Sequence, residues 1–433
     1  MSAHSHDRVG AGEGPAIERD RPTDGAMNRV LVLISLSVLI NYLDRSNLSI
    51  AAPLLKDELG ISNTQLGTLL AAFFWIYGAM QIPAGWLVDH LDVKWVFAAG
   101  FFLWSTATAT TALLHGFAAF IAVRVILGVG ESIVFPSCAN ILGTYFEEGR
   151  RGFANAVVST GLSLGPAVGI LVGATVIGRF GWRPFFLALG LGALVWLVPW
   201  LAWMPSKRPV PQAATNSAIG IPAILRHRSA WGTCLGQFCL NYFLYFLLTW
   251  LPSYLNRGRG FSMNDVAKYG SLLFVMSAIA APLWGRLADQ WIKAGATPTL
   301  ARKGTLVLGH GGAGVCLVLM PLTERSVFVA MLALTGVFLG ISCCSSWAVT
   351  QTLAGPHASG RWCGVQNFVG NFAGWVAPAL TGFLIDRTGH YYWPFFITAG
   401  VAWVGAIGWG FVVGRIEPVD WRAVPAMQPA LQS

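Results

Sequence analysis

The feature that most constrains this chain is a series of long apolar runs that contain almost no charge. Only 11% of its 433 residues are Asp, Glu, Lys or Arg, and 55% are hydrophobic. A soluble domain carries about 25% charged residues. An apolar run of roughly 20 residues can cross the hydrocarbon core of a bilayer as a helix, whereas barrel strands would alternate polar and apolar residues. The runs are continuous, so the composition predicts an all-α membrane protein and argues against a soluble fold.

Twelve such segments are expected, and helices are the expected spanning form because each satisfies its own backbone polar groups. The connections are short, except for a stretch rich in Pro, Ala and Ser after the sixth segment. The segments are 30–52, 66–88, 95–114, 117–140, 153–177, 184–204, 231–254, 268–288, 304–322, 327–350, 362–385 and 392–413. The predicted organisation is a disordered tail (1–28), an N-terminal six-helix half (29–204), a cytoplasmic linker (205–229), a C-terminal six-helix half (230–414) and a cytoplasmic tail (415–433).

Two landmarks recur in both halves. Residues 85–89 and residues 285–289 both read Gly-x-Leu-x-Asp, at the ends of the second and eighth segments. Residues 179–186 and residues 387–396 both begin with Arg-x-Gly and end with Pro-Phe-Phe, at the last connection of each half. Parallel repeats with a binding site at their interface are a common transporter plan. The sequence therefore predicts two pseudo-symmetric halves.

The basic residues are distributed unevenly between the two ends of these segments. Of the 28 Lys and Arg residues, 18 fall in the tails and even-numbered connections, eight fall in the odd-numbered connections, and two lie inside helices. Basic residues concentrate on the cytoplasmic side of membrane proteins. We therefore expect a multi-pass protein of the cell (inner) membrane with both termini in the cytoplasm. Because the positive charge belongs to loops, we expect no nucleic-acid partner.

Three stretches resemble motifs of the major facilitator superfamily. Residues 85–94 resemble its Gly-x-Leu-x-Asp-Arg-x-Gly-Arg-Lys loop and depart from it at His90 and Asp92. Residues 124–136 resemble its fourth-helix motif, and residues 161–169 resemble its fifth-helix glycine-proline motif. The resemblance implies the twelve-helix fold of that superfamily and transport by alternating access.

Within that superfamily, the chain is similar to the anion:cation symporter family. Residues 41–45 read Asn-Tyr-Leu-Asp-Arg, Glu131 follows on the fourth helix, and residues 366–374 on the eleventh helix also resemble this family. Its members take up sugar acids, hexuronates, tartrate, phthalates and related organic anions. The resemblance implies proton-coupled uptake of a small organic anion, with proton coupling at Asp44 and Glu131.

Asp44, Arg45, Arg124, Glu131 and His310 are ionisable residues deep within the predicted helices, where such a group is costly unless it has a partner or a wet cavity. A lone histidine such as His310 is more often structural. Asp44 and Arg45 are adjacent, so their side chains point about 100° apart on a helix and need separate partners. Arg124 and Glu131 are two turns apart and share one face. The expected arrangement is a polar cavity between the first and fourth helices that the two acids and the two arginines line. The alternative is a closed set of ion pairs that locks the helices together.

The chemistry of these groups suggests their roles. The planar fork of an arginine suits a carboxylate, so Arg45 is the first candidate for substrate binding and Arg124 the second. Protonation of a buried carboxyl group responds to burial and to a neighbouring arginine, which suits Asp44 and Glu131 to proton coupling. The other candidates for the cavity could instead bond across helices or lie at the membrane interface. They are Tyr42, Tyr77, Gln237, Asn241, Tyr242, Tyr245, Gln366, Asn367 and Asn371.

Asp89, Lys94 and Asp289 lie at predicted cytoplasmic helix ends and are assigned to a gate that closes that side. The alternative is that they are simply solvated helix ends.

Enzymatic and ATP-driven functions are not indicated. No Gly-x-x-x-x-Gly-Lys-[Ser/Thr] loop and no His-Glu-x-x-His pair occurs, and the seven cysteines form no Cys-x-x-Cys motif. We expect no metal or cofactor, and a monomer whose partners are a small organic anion, protons and the lipid bilayer. A facilitator, an exchanger or exporter of an anion, and a transporter-like sensor are the alternative functions.

Overall fold

The computed structural model describes residues 24–146, 148–206 and 220–421, and the regular secondary structure within those ranges is helical. Eleven of its helices are long and apolar enough to cross a membrane. With the 19-residue helix Val93–Thr111, they give twelve segments, numbered here in chain order. They are α1 (Gly25–Leu59), α2 (Asn63–His90), α3 (Val93–Thr111), α4 (Phe117–Leu142), α5 (Val157–Phe180), α6 (Trp182–Trp203), α7 (Arg228–Gly258), α8 (Met263–Lys293), α9 (Pro298–Leu322), α10 (Arg325–Gly355), α11 (Arg361–Thr388) and α12 (Tyr392–Val412).

The all-α membrane fold is therefore confirmed, and eleven of the twelve predicted segments meet the criteria for a span. The remaining segment, α3, is less apolar because Ser and Thr residues crowd its second half. It packs closely on α4: a Cβ at Gly100 would lie 2.9 Å from the carbonyl oxygen of Gly130. In its polar second half, Ser105, Thr108 and Thr111 are buried in the interior of the N-terminal half, which becomes important for the site.

The described ends differ from the predicted boundaries. Helix begins at Asp24, within the tail predicted to extend to residue 28, and residues 1–23 lie outside the described part. The linker contains the short helix Ile221–Leu225, and α7 starts at Arg228; residues 207–219 are outside the described ranges.

The segment after α12 is tied to the end of α10. The backbone N–H of Val419 donates to the carbonyl oxygen of Leu353 (2.9 Å), and Trp421 Nε1 donates to that of Ala354 (3.0 Å). Next to this contact, the helix that contains α10 is interrupted by a kink at Gly355, whose φ of 64° lies in the left-handed region that favours glycine. Residues 415–421 therefore belong to the folded C-terminal half, and residues 422–433 lie outside the described part.

The two halves pack against each other on one side of the membrane. We call the side that holds the start of α1 and the end of α12 the terminal side, and the opposite side the distal side. Near the distal side, a Cβ at Gly382 of α11 would overlap the carbonyl oxygen of Asn63 at the start of α2. Farther towards the terminal side, a Cβ at Gly78 of α2 or Gly364 of α11 would meet nothing within 4 Å. The halves are therefore in contact distally, and we infer from the open space at Gly78 and Gly364 that they separate towards the terminal side.

A polar clamp reinforces the distal closure. Asp386 of α11 accepts hydrogen bonds from the backbone N–H of Asn63 (3.1 Å) and of Thr64 (2.6 Å), and from both of their side chains. Arg257 at the end of α7 pairs with Asp57 and donates to the carbonyl oxygen of Pro53 (3.0 Å) at the end of α1. Both contacts join the two halves.

Replacing Gly382 by Ala should open the distal side, because the added methyl group needs space that the backbone of Asn63 occupies. Overpacking of this kind costs about 1–3 kcal/mol. We expect longer distances between spin labels at the distal ends of α2 and α11 by double electron–electron resonance. Gly364→Ala on the same helix, where the methyl group meets nothing within 4 Å, is the matched control. An unchanged distance distribution in Gly382→Ala would show that this contact does not hold the halves closed.

Candidate functional site

The centre of the candidate site is an ion pair between α1 and α4. Arg45 Nε donates to Glu131 Oε2 at 2.9 Å, and the two side chains are 2% and 0% exposed. Arg45 Nη2 and Glu131 Oε1 have no hydrogen-bond partner within the described residues. A buried ion pair offsets its desolvation cost only when its remaining donors and acceptors are satisfied. This pair therefore has hydrogen-bonding capacity left for a ligand or a proton.

Aromatic rings surround the guanidinium of Arg45. Its Cζ atom lies 4.4 Å from the ring centroid of Tyr77, 4.7 Å from that of Tyr42 and 5.0 Å from that of Phe73. Arginine stacks favourably on such rings, and the rings of Phe73 and Tyr77 also stack on each other. This cage holds the fork of Arg45 in place. Tyr42 and Tyr77, predicted as candidates for the cavity, thus contribute their rings to the site.

Asp44 points away from this pair. Its Oδ2 accepts a 2.5 Å hydrogen bond from Thr108 Oγ1 on α3, and its Oδ1 accepts one from Asn47 Nδ2 at 3.0 Å. The arrangement in which four charged groups line one cavity therefore needs correction: Asp44 lies behind the pair, inside the N-terminal half. The reason is the angle of about 100° between neighbouring helix residues, which turns Asp44 to α3 when Arg45 faces α4.

Arg124 flanks the pair and is 6% exposed. Its Cζ lies 5.3 Å from the ring centroid of Phe73, and it is close enough to Glu131 and Asp44 to interact with both charges. Its Nε has no hydrogen-bond partner in the described part of the chain. Between Arg124 and Glu131, the missing side chain of Gly128 lets α2 approach, since a Cβ there would lie 2.6 Å from the carbonyl oxygen of Phe73.

The C-terminal half reaches the site through α7 and α11. The ring of Tyr245 lies 4.5 Å from that of Phe74 on α2, and Tyr245 is within electrostatic range of Arg45. The Tyr245 hydroxyl donates to Asn371 Oδ1 (3.1 Å), and Asn371 Nδ2 donates to the carbonyl oxygen of Asn367 (2.9 Å). These predicted residues therefore face the boundary between the halves, opposite Arg45.

The other predicted polar residues of this half bond to one another. Gln237 Nε2 donates to Asn241 Oδ1 (2.9 Å), and Gln237 Oε1 accepts from Ser346 Oγ (2.6 Å) and from Gln366 Nε2 (3.1 Å). Thr350 donates to Gln366 Oε1. This network joins α7, α10 and α11, which favours the alternative that these groups hold helices together.

Tyr242 also belongs to the packed interior of that half. It is 3% exposed, and its ring lies 6.2 Å from that of Phe238. Its hydroxyl makes no hydrogen bond within the described residues, so its assignment to substrate binding stays a prediction.

The predicted gate residues lie apart in this conformation. Asp89 is exposed, Asp289 Oδ1 lies 3.8 Å from Arg302 Nη2 of its own half, and Lys94 Nζ lies 5.9 Å from the ring of Trp95. Within the described residues none of them bonds to the opposite half. This fits the separation of the halves at the terminal side.

Four contributors are not evident from the sequence. Thr108 lies in an ordinary Ser- and Thr-rich stretch, Phe73 resembles any apolar residue, and Ser346 and Thr350 are small polar residues in an apolar helix. The only signal for Phe73 is its position one turn before Tyr77, which places both on one face.

Comparison with known proteins places this arrangement in a family. The model of the Major Facilitator Superfamily matches residues 34–378. A "probable sulfoacetate transporter" of Cupriavidus necator is 31% identical over 88% of this chain and 93% of its own length. The "hexuronate transporter" of Bacillus subtilis is 30% identical (90% and 94%), and a "probable L-galactonate transporter" of Escherichia coli is 27% identical (90% and 92%).

A solved structure has the same fold. The crystal structure of a bacterial homologue of the human lysosomal transporter Spinster superposes with a TM-score of 0.77 at 17% identity, over 90% of this chain and 98% of that one. The family model covers most of the twelve-helix core, and the two relatives of at least 30% identity extend over nearly the whole chain. This protein therefore belongs to the major facilitator superfamily of membrane transporters.

Proposed function

We propose that this protein is a secondary active transporter that takes up a small organic anion together with protons by alternating access. The observation that carries the proposal is the Arg45–Glu131 pair, which is buried at the boundary between the halves and uses only part of its hydrogen-bonding capacity. Relatives named for sulfoacetate, hexuronate and L-galactonate support an organic anion, in the class of sugar acids, uronates and related carboxylates.

The pair supplies a reason for coupling. Glu131 and the carboxylate of a substrate are two anions that compete for the single fork of Arg45. When Glu131 takes up a proton, it loses its charge and no longer competes for the guanidinium. A bidentate contact to the substrate carboxylate can then form through Nε and Nη2. Proton binding and anion binding therefore favour each other, which is the requirement for symport.

The closed distal side and the separated terminal side support alternating access. With the terminal side in the cytoplasm, as the distribution of basic residues indicates, this conformation opens inward. In the opposite conformation we expect Asp89, Lys94 and Asp289 to approach the other half, and the distal clamp at Asp386 to part. Asp44, behind the pair, serves as the second proton-coupling group.

The test of this function uses purified protein in proteoliposomes. A thermal-shift screen with sugar acids, uronates, dicarboxylates and sulfoacetate first identifies a ligand. A pH jump that makes the lumen alkaline should then drive accumulation of that ligand, and a lumenal pH dye should report acidification that depends on it. Uptake without proton movement would identify a facilitator, and transport that needs a counter-anion would identify an exchanger. Binding without transport would identify a sensor.

Asn371→Ala should weaken binding of a hydroxylated sugar acid by about fivefold, because a hydrogen bond to a substrate hydroxyl contributes about 1 kcal/mol. Sulfoacetate has no hydroxyl group, so its affinity should not change. Isothermal titration calorimetry measures both. Asn256→Ala is the control, since that amide bonds to the carbonyl oxygen of Phe261 (3.0 Å) at the distal end of α7. Equal losses for both ligands would indicate that Asn371 has a structural role.

A further inference from the structure

Behind the Arg45–Glu131 pair lie buried polar atoms that no group in the described part of the chain satisfies. Asn41, Asn47, Trp104, Ser105 and Glu131 are each 0% exposed. Six of their atoms have no hydrogen-bond partner within the described residues: Nδ2 and Oδ1 of Asn41, Oδ1 of Asn47, Nε1 of Trp104, Oγ of Ser105 and Oε1 of Glu131. An unsatisfied buried polar atom costs about 1–3 kcal/mol, and folded proteins satisfy nearly all of them.

Two of these side chains lie at the same depth in the membrane. The hydrogen bond from Thr108 to Asp44 sets the register of α3 against α1, and both helices run from the terminal side to the distal side. Asn41 lies three residues before Asp44, and Ser105 lies three residues before Thr108. Each is therefore one turn, about 4.5 Å, towards the terminal side on the face that carries the Asp44–Thr108 bond.

Trp104 of α3 and Glu131 of α4 also lie at this depth. A Cβ at Gly130 of α4 would lie 2.8 Å from the backbone nitrogen of Trp104 and 2.9 Å from the carbonyl oxygen of Gly100. Glu131 follows Gly130 directly, so Asn41, Ser105, Trp104 and Glu131 lie at one level of α1, α3 and α4, and Asn47 lies beside Asp44, three residues towards the distal side. The cations next to this group are Arg45 and Arg124.

The mixture of donors and acceptors identifies the ligand. Trp104 Nε1 only donates, Asn41 donates and accepts, and the oxygens of Asn47 and Glu131 accept. A bound cation would need acceptors alone and a bound anion donors alone, whereas water offers two of each. A buried water makes up to about four hydrogen bonds, so about three waters would satisfy the six atoms and still bond to one another and to Asp44.

We propose that these residues hold a short internal water chain that connects Asp44 with Glu131 inside the N-terminal half, apart from the substrate cavity. Asp44 and Asn47 face one end of the chain, Glu131 Oε1 faces the other, and Asn41, Trp104 and Ser105 position the waters between them. A proton leaves the carboxyl group of Asp44 as its O–H bond breaks, passes along the waters, and forms an O–H bond on Glu131; the waters end unchanged. This relay rests on the proposed symport, but the presence of the water does not.

Hydration can be measured independently of transport by X-ray radiolytic footprinting, in which bound water oxidises the side chains next to it. The purified wild-type protein is irradiated in ¹⁸O-labelled water. Trp104 should be oxidised with incorporation of the label, several-fold faster than Trp250. Trp250 is 1% exposed, and its Nε1 donates to the carbonyl oxygen of Pro378 (3.1 Å). Equal background rates for the two tryptophans would overturn the proposal, whether or not the protein is a symporter.

The relay is tested with Asn41→Leu, which replaces two of the six polar atoms by methyl groups and keeps the branched shape of the side chain, and with the milder Ser105→Ala. We expect slower oxidation of Trp104 and several-fold slower proton-driven uptake, with ligand binding and counterflow exchange retained as evidence of folding. Ser37→Ala is the matched control on α1, since Ser37 is 0% exposed and its hydroxyl donates to the carbonyl oxygen of Ile34 (2.7 Å). Wild-type rates of proton-driven uptake in both variants would overturn the relay.

Discussion

Glu131→Gln should abolish proton-driven accumulation of the anion while counterflow exchange persists. Glutamine has the size and shape of the protonated side chain and is neutral at every pH, so it does not hold Arg45 Nε as the carboxylate does in the wild type (2.9 Å). The variant therefore resembles the protonated carrier permanently: it binds the anion, since nothing competes for Arg45, but it moves no proton. Ligand affinity should be retained or increased.

The measurement uses the same proteoliposomes in two modes. Under a lumen-alkaline pH gradient, the Gln variant should bring the ligand only to equal concentrations on both sides. Without a gradient, it should exchange lumenal unlabelled ligand for external labelled ligand. Glu58→Gln is the control, because Glu58 accepts hydrogen bonds from Arg183 (2.5 Å) and Trp182 (2.8 Å) at the distal side, away from the pair. Normal accumulation by Glu131→Gln would remove Glu131 from the coupling mechanism.

Arg45→Lys should weaken anion binding by roughly 30- to 700-fold. Truncating one partner of a buried, hydrogen-bonded charge pair costs about 2–4 kcal/mol, and each 1.4 kcal/mol is tenfold in affinity. Lysine retains the charge but loses the planar fork and its stacking on Tyr42 and Tyr77. The loss of affinity for the anion should therefore exceed the loss expected if only the positive charge mattered. Calorimetric titration with the ligand from the thermal-shift screen measures it.

A matched variant, Arg259→Lys, shows whether replacing any arginine by lysine lowers the affinity for the anion. The guanidinium of Arg259 also lies over an aromatic ring, 4.7 Å from the centroid of Phe328, and donates to the carbonyl oxygens of Thr323 and Met320. It belongs to the distal part of the C-terminal half, so Arg259→Lys should leave affinity near the wild-type value. If Arg45→Lys binds normally and Arg124→Lys does not, the substrate carboxylate binds at Arg124 and the assignment of Arg45 fails.

Much of the fold could be predicted because the signal for a spanning helix is local. A run of apolar residues is long enough to cross the bilayer or it is not, and this property does not depend on the neighbouring helices. The apolar signal was weakest for α3. Ser105 and Thr108 make that helix less apolar, yet both are buried within the N-terminal half, where polar groups bond to other helices and not to lipid.

The site could be predicted only in part. Ionisable residues within membrane segments are rare because burial is costly, and this singled out Asp44, Arg45, Arg124 and Glu131. It did not say which of them pair. The sequence likewise marked Gln237 and Gln366 as polar residues of helix interiors, but bonding to a neighbouring helix and binding a substrate require the same residue types.

The sequence by itself determined the membrane-spanning helices and their division into two related halves. It also identified the charged residues that are too costly to bury in a bilayer unless they have a partner or a function. These follow from hydropathy and spacing along one chain. The tertiary structure decided that Arg45 bonds to Glu131, that Asp44 turns to Thr108, and that the halves close at the distal side. Those choices depend on distances between residues far apart in sequence, which helix packing sets and no local pattern encodes.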